Sequence, residues 1–183
     1  MYKRQKYAYA PDILQFAGFT PFSYITLRNR AIGFNDKDQP RYHTACETAS
    51  LHGAAMMVSR EVLQKAGPMS EDYFLFYEEF DWSARILRAG YKLWYEPAAI
   101  VYHKEGMTAR KGSPLREFYL SRARILFARK NFSSIRKLLS CLYISSIAAP
   151  KKAILYLLHG ESNLAKAVLH GTFNGIISKY KKP

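Results

Sequence analysis

Phe74-Leu-Phe-Tyr-Glu-Glu-Phe-Asp-Trp-Ser-Ala-Arg85, followed by Arg88-Ala-Gly-Tyr91 and then by His103, is the stretch on which a reading of this chain turns. Three carboxylates, Glu78, Glu79 and Asp81, stand where an aromatic run gives way to helical spacing. An apolar wall raises a carboxyl pKa and a helix N-terminus lowers it, so a group held between them suits a general base. Glu78 and Asp81 share a helix face by their spacing, and Arg85 follows Asp81 by one helical turn. Glu79 points roughly 100° away from Glu78 and is the freest to face a pocket. The plainer reading is that all three complement the helix dipole and pair with Arg85 or Arg88. That reading fits Asp81 best and Glu79 least.

Outward from this stretch the chain alternates short strands and helices. Ile13-Leu14-Gln15-Phe16-Ala17-Gly18 reads as a strand ending in Gly, and Gly53-Ala-Ala-Met-Met-Val-Ser59 as a buried one whose small residues admit a close neighbour. Residues 20–50 hold Thr20-Pro21, Arg28-Asn29, Asn35-Asp36 and Gln39-Pro40, the marks of a long irregular loop. Ser59 caps a predicted helix through Ala66, stopped by Gly67-Pro68. A second helix runs from about Glu79 to Ala89 and closes at Gly90, after an aromatic turn or short strand over 73–77. Tyr91–Tyr95 and Ala99–Tyr102 alternate like two strands interrupted by Pro97, and a Gly/Thr/Lys loop follows His103. From Pro114 the chain reads as helical, with an apolar stripe (Phe118, Leu120, Ile125, Leu126, Phe127) beside Arg122, Arg124, Arg129 and Lys130. Arg122 and Arg124, two apart, are expected to point one inward and one outward. Residues 135–158 and 162–179 continue as amphipathic helices.

The 183 residues suffice for one domain with a sizeable core. Cys46 and Cys141 lie far apart without CxxC spacing and read as unpaired thiols. No apolar run reaches the ~18 residues that a membrane span requires, and Leu138–Ala149 is short enough to lie in a membrane surface instead. The charge is uneven: of a net +14, residues 1–101 carry 12 basic against 11 acidic groups, and residues 102–183 carry 16 against 3. So basic a second half implies an anionic partner, a nucleotide phosphate or an acidic lipid surface. No RNA-recognition motif with stacking aromatics is present, so nucleic acid is not expected. Met1-Tyr-Lys-Arg-Gln5 back-translates as GTG-TAT-AAG-AGA-CAG, the end of a common transposon sequencing adaptor. Residues 1–5 are therefore expected to be a scar on the tail of a longer reading frame.

In order, His52-Gly-Ala-Ala-Met-Met-Val-Ser-Arg-Glu-Val62, Gly67, Phe74–Trp82, Arg85, Arg88-Ala-Gly-Tyr91, Pro97, Val101-Tyr-His103 and Ser113-Pro-Leu…Phe118-Tyr-Leu-Ser-Arg-Ala-Arg124 make a joint pattern. With it the chain resembles the C-terminal half of a family 2, GT-A type glycosyltransferase, closest to the rhamnosyltransferase-like group of bacterial surface-polysaccharide synthesis. The resemblance implies an α/β fold: a GT-A C-terminal half over residues 6–131, then a basic amphipathic helical tail over 132–183. It implies that Glu79, at the second position of the acidic pair where many relatives have Asp, takes the acceptor's proton, with Glu78 and Asp81 beside it. The sugar would be transferred with inversion from a nucleotide-sugar donor to a saccharide or lipid-linked acceptor.

The same resemblance places His103 on the leaving-group side, within reach of a metal, with Lys104, Arg110 and Lys111 in a loop able to close over the diphosphate. It puts His52, Gly53, Trp82 and Arg85 around the acceptor. Bland alternatives are a packed core residue or strand cap for His103, a strand edge for His52 and Gly53, core packing for Trp82 and a salt bridge for Arg85. A divalent cation, Mg²⁺ or Mn²⁺, is expected in the full-length enzyme on an Asp-x-Asp motif that this chain lacks. Asp36-Lys-Asp38 has the spacing but sits in the irregular loop. The fragment alone is thus expected to be inactive, and the enzyme to work in the cytoplasm, peripheral at the inner face of the membrane. The reading from a different class is a non-catalytic basic module that binds a membrane surface. A glycosidase is disfavoured, because adjacent carboxylates diverge on a helix rather than flank one bond.

Overall fold

The computed structural model describes residues 2–104 and 110–180. It is a mixed α/β protein of two compact units, one formed by residues 2–22, 28–70 and 79–104, the other by 23–27, 71–78 and 110–180.

The first unit is built on a four-stranded mixed sheet of order β2-β1-β4-β3. β1 (Tyr2–Tyr7) and β2 (Ala10–Phe16) form an antiparallel hairpin, β1 runs parallel to β4 (Trp94–His103), and the short β3 (Cys46–Glu47) pairs antiparallel with β4. Residues 2–5, set aside on sequence as adaptor-encoded, thus lie in an inner strand. β2 starts three residues earlier than the apolar run suggests, and Gly18 at φ 125° follows it.

Two expectations fail in this unit. Pro97 does not split the 91–102 segment, because β4 runs straight through it. The register with β1 jumps from Glu96 to Ile100, so Pro97 sits in a bulge where its missing N–H costs no ladder bond. Gly53–Ser59 is a turn rather than a buried strand, with Gly53 and Ala54 exposed. Its run has too little apolar bulk to fill a sheet face, and Met56 and Val58 reach the core from a loop.

The 20–50 segment is irregular as expected, apart from β3 and a 3-10 turn at Pro40–Tyr42. It is fastened by its acids. Asp38 meets Lys6 at 2.8 Å, His43 at 2.9 Å and Arg4 at 3.3 Å, while Asp36 binds Arg41 and accepts from the Tyr42 hydroxyl at 2.7 Å. The two carboxylates of Asp36-Lys-Asp38 therefore face separate cation sets.

α1 (Arg60–Ala66) begins where the Ser59 side chain accepts from Val62 N–H and ends at Gly67, φ 72°. α2 (Glu78–Arg88) ends before Gly90, φ 90°. Trp82 and Ile86 of α2 pack with Leu14, Phe16, Leu51, Leu93 and Tyr95 into one core.

The second unit is helical: α3 (Pro114–Asn131), α4 (Ser134–Tyr143), a π-helical turn (Ile144–Ala148), α5 (Ala149–Leu158) and α6 (Ser162–Ile177). α3 is not striped. Ile125, Leu126, Phe127 and Ala128 are consecutive and all buried, the mark of a central helix covered on every side. Nor do Arg122 and Arg124 part company. Arg122 donates to the Asp72 carbonyl (2.9 Å) and Asn174 Oδ1 (2.8 Å), and Arg124 donates to the Thr26 carbonyl, so both serve internal acceptors.

α6 crosses α3 through Gly171 and Gly175. A Cβ at Gly171 would fall 2.2 Å from the Phe118 carbonyl oxygen, and one at Gly175 would fall 2.7 Å from that of Arg122. This seam joins α3 to α6. α4, the π-turn and α5 form one unbroken helical run, Ser134–Leu158, long and apolar enough by length and composition to cross a membrane. The expectation that no segment reaches that length is corrected accordingly. The two cysteines are unpaired.

Candidate functional site

The aromatic turn before α2 is strained. Phe76 and Tyr77, neither of them Gly, hold φ of 67° and 69°, a left-handed pair that costs about 1–3 kcal/mol per residue. The cost is borne immediately before the two glutamates. Such strain collects where side-chain aim matters more than local stability.

The three carboxylates then diverge in environment. Burial pushes the Glu78 carboxyl above its ordinary pKa, against the pull of its own backbone N–H, and Glu78 Oε2 is buried with no hydrogen-bond partner. Asp81 is fully buried and paired with Arg85 Nε at 3.1 Å. Arg85 also donates to the Ala66 carbonyl and, at 2.6 Å, to that of Pro68, while Trp82 Nε1 donates to the Gly67 carbonyl at 2.7 Å. Asp81, Trp82 and Arg85 thus tie α2 to the end of α1, satisfying carbonyls that the helix terminus leaves open. The Asp81–Arg85 pair, two further Arg85 nitrogens and Trp82 Nε1 serve that joint.

Glu79 is half-buried in the first turn of α2, and its carbonyl accepts from Ser83 Oγ at 2.6 Å. Its neighbour across the fold is Gly53: a Cβ there would meet the Glu79 Cβ at 3.9 Å and nothing closer. The Gly53 turn therefore leaves open ground beside Glu79. The same unit packs a set of rings together. Phe80 packs edge-on against Phe19 and Phe22, each at 5.1 Å, and His52 lies parallel to Phe19 at 6.3 Å and edge-on to His103 at 6.0 Å.

His103 ends β4 and is fixed by a buried amide pair. Gln5 Nε2 donates to Gln15 Oε1 at 2.6 Å, and His103 Nδ1 lies 2.9 Å from that same oxygen. The oxygen can only accept, so the hydrogen-bond network assigns the proton to Nδ1 and leaves Nε2 of the neutral ring with its lone pair. Gln5 and Gln15 are the site residues that sequence reasoning missed. The available signal was Gln15, a lone amide inside Ile13-Leu14-Gln15-Phe16; Gln5 lay among the residues set aside.

The structure therefore brings together His52 with His103, and Gly53 with Glu79. Lys104 is exposed just past β4, and Arg110 and Lys111 are exposed in the turn that leads to the Ser113 cap of α3. The loop expected to close over a diphosphate lies largely in residues 105–109, outside the described residues. Among the described residues no group of three or more His, Cys, Asp and Glu side chains is disposed to hold a metal ion. A separate hollow of about 640 Å³ in the same unit is lined by Arg30, Asp36, Arg41, Tyr42, Cys46 and Tyr95. Its one carboxylate is already engaged by Arg41 and Tyr42. Neither a protein-family model nor a curated protein matches the chain.

Proposed function

We propose that this chain is the acceptor-side part of an inverting GT-A glycosyltransferase, with Glu79 as the general base. The observation that carries the reading is the setting of Glu79: first turn of a helix, behind a strained aromatic turn and beside the exposed Gly53. A sugar hydroxyl becomes nucleophilic when a positioned carboxylate accepts its proton as the new bond forms. The acceptor oxygen would attack the anomeric carbon, the bond to the nucleotide diphosphate would break with its electron pair on the leaving oxygen, and the proton would end on Glu79. Gly53 gives the acceptor room, and His52 bounds it. His103, held by Gln15, would present Nε2 on the leaving-group side, with Lys104 near in sequence to offset charge. Asp81, Trp82 and Arg85 act as positioning residues for α2. The donor would be a nucleotide sugar, the acceptor a saccharide or lipid-linked saccharide of a bacterial surface polymer, and the place of work the cytoplasmic face of the membrane.

In a polypeptide that supplies the nucleotide-binding half, Glu79→Gln should lower transfer by about 10²–10⁴-fold while nucleotide-sugar affinity stays within a few-fold. Transfer retained within a few-fold would move the base to Glu78 and end this assignment. The second reading, a non-catalytic basic module on a membrane surface, is favoured by the exposed apolar rows of the helical unit and predicts no transfer in any such polypeptide.

A further inference from the structure

The helical unit carries two rows of side chains along Ser134–Leu158 that do not share one function. The buried row is Ser140, Ile144, Ala149 and Ala153, with steps of four, five and four residues. On the opposite side Leu138, Leu142, Ile147, Lys151 and Leu155 follow steps of four, five, four and four, and every one of them is exposed. Ile135, Leu139, Ile154 and Leu158 flank that row, with Ile135 74% and Leu158 77% exposed.

In a regular helix a five-residue step would rotate both rows by roughly 100°. The π-turn at Ile144–Ala148 inserts the one extra residue that cancels the rotation, so the apolar row stays on one side from end to end. A device that keeps the buried row in register needs no apolar residues opposite it, yet here the outer row, Lys151 excepted, is apolar too. α6, packed against α5, repeats the pattern with Leu169, Phe173, Ile176 and Ile177 exposed beside Lys166 and Lys179.

We propose that the outer row of Ser134–Leu158, continued by that of α6, is a face that lies in the plane of an anionic phospholipid surface. Charge commits it to that occupant. Between residues 110 and 180 stand thirteen Lys and Arg against two acids. Glu117 is buried and engaged by Lys152, which leaves Glu161 as the only exposed carboxylate there. Arg122, Arg124, Arg129 and Lys130 are used internally, so the attraction rests on Lys137, Lys151, Lys166 and Lys179. Cations beside an apolar row are the signature of an interfacial helix.

Length alone would also allow a span, but the inner row argues against one. Ser140 Oγ donates to the Tyr24 carbonyl at 2.6 Å, Arg136 lies over the Tyr24 ring at 3.9 Å, and Lys152 pairs with Glu117. A spanning helix would give up these contacts and carry Lys151 and Lys152 into hydrocarbon. The inference does not depend on catalysis.

The test is flotation of the full chain with phosphatidylcholine vesicles, with and without phosphatidylglycerol, followed by alkaline carbonate extraction. The chain should float with the anionic vesicles about tenfold better than with neutral ones and be released by carbonate. Leu142→Glu/Ile147→Glu/Ile154→Glu should abolish flotation with an unchanged circular dichroism spectrum, because all three side chains are exposed. Lys151→Glu/Lys166→Glu, which leaves the apolar row intact, should weaken it and remove its salt dependence. Three results would overturn the proposal: equal flotation of the triple variant, resistance to carbonate, as a spanning helix shows, or no flotation together with self-association that the triple variant abolishes.

Discussion

Glycine does opposite work in two regions of this molecule. Along the α3–α6 seam, Gly171 and Gly175 let two backbones approach until no further atom fits, with a carbonyl oxygen 2.2 Å from where a Cβ would stand. Beside α2, Gly53 has only the Glu79 Cβ within 4 Å of its missing side chain, at 3.9 Å. The first absence of a side chain is filled by the protein, and the second is left open. Exposed Gly90, Gly112 and Gly160 likewise have nothing within 4 Å of a missing Cβ, so it is the Glu79 carboxylate beside Gly53, not openness alone, that sets this second position apart.

α2 repeats the contrast within a single helix. Asp81, Trp82 and Arg85 have their polar atoms matched inside the protein, whereas Glu78 Oε2 is buried without a partner. The largest effect should come from the matched group. Asp81→Ala strands the Arg85 guanidinium and should cost about 3–5 kcal/mol in urea unfolding, as for other buried pairs that lose one member. A loss under about 1 kcal/mol would mean the two carbonyl acceptors alone hold Arg85. Close behind, Gly171→Val forces the α3–α6 seam apart and should cost about 3 kcal/mol. Gly171→Ala tolerated without loss would show that the seam relaxes, and the contrast with Gly53 would weaken.

Glu78 yields a smaller effect whose sign depends on pH. Its folded pKa is raised, so the protonated form is favoured in the native state. The associated stability is full below the unfolded value of about 4.3 and is lost as pH rises through the folded pKa. Glu78→Gln removes the titration. The variant should melt higher than the parent at pH 7 and lose that advantage as pH falls toward 4. A constant difference across that range would show that Glu78 is solvated.

These environments were only partly legible in the sequence. α1 and α2 could be read because their punctuation is local: Ser59 before, Gly67 and Gly90 after. β4 could not, since whether Pro97 ends a strand depends on a bulge that only the partner strand's register reveals. The Gly53 turn was misread for a related reason: Gly-Ala-Ala-Met-Met-Val fits a buried strand if a neighbouring strand exists to pair with it. The carboxylates were legible as types and spacing, the Asp81–Arg85 pair included, but the further acceptors of Arg85 and Trp82 were not, because Ala66, Gly67 and Pro68 contribute only main-chain carbonyls. Gln5 and Gln15 became meaningful only when the hairpin set them side by side beneath His103. The π-turn left no mark beyond a phase shift in the apolar pattern, which reads on sequence as a simple apolar run.

Gly53 supplies the smallest stability change and the sharpest discrimination. Its position is exposed, it holds no left-handed φ, and nothing crowds its missing Cβ, so Gly53→Ala should alter unfolding by less than about 0.5 kcal/mol. Gly53→Leu should be nearly as benign to the fold, because the added atoms enter open ground. If that ground receives an acceptor, the same substitution should raise the KM for acceptor at least about tenfold in the reconstituted enzyme and leave donor binding alone. Loss of stability and activity together would mean that the space closes in solution and Gly53 is one more packing glycine. Loss of acceptor affinity with stability intact would separate the two uses of glycine by experiment, and would place the acceptor on the Glu79 side of α2.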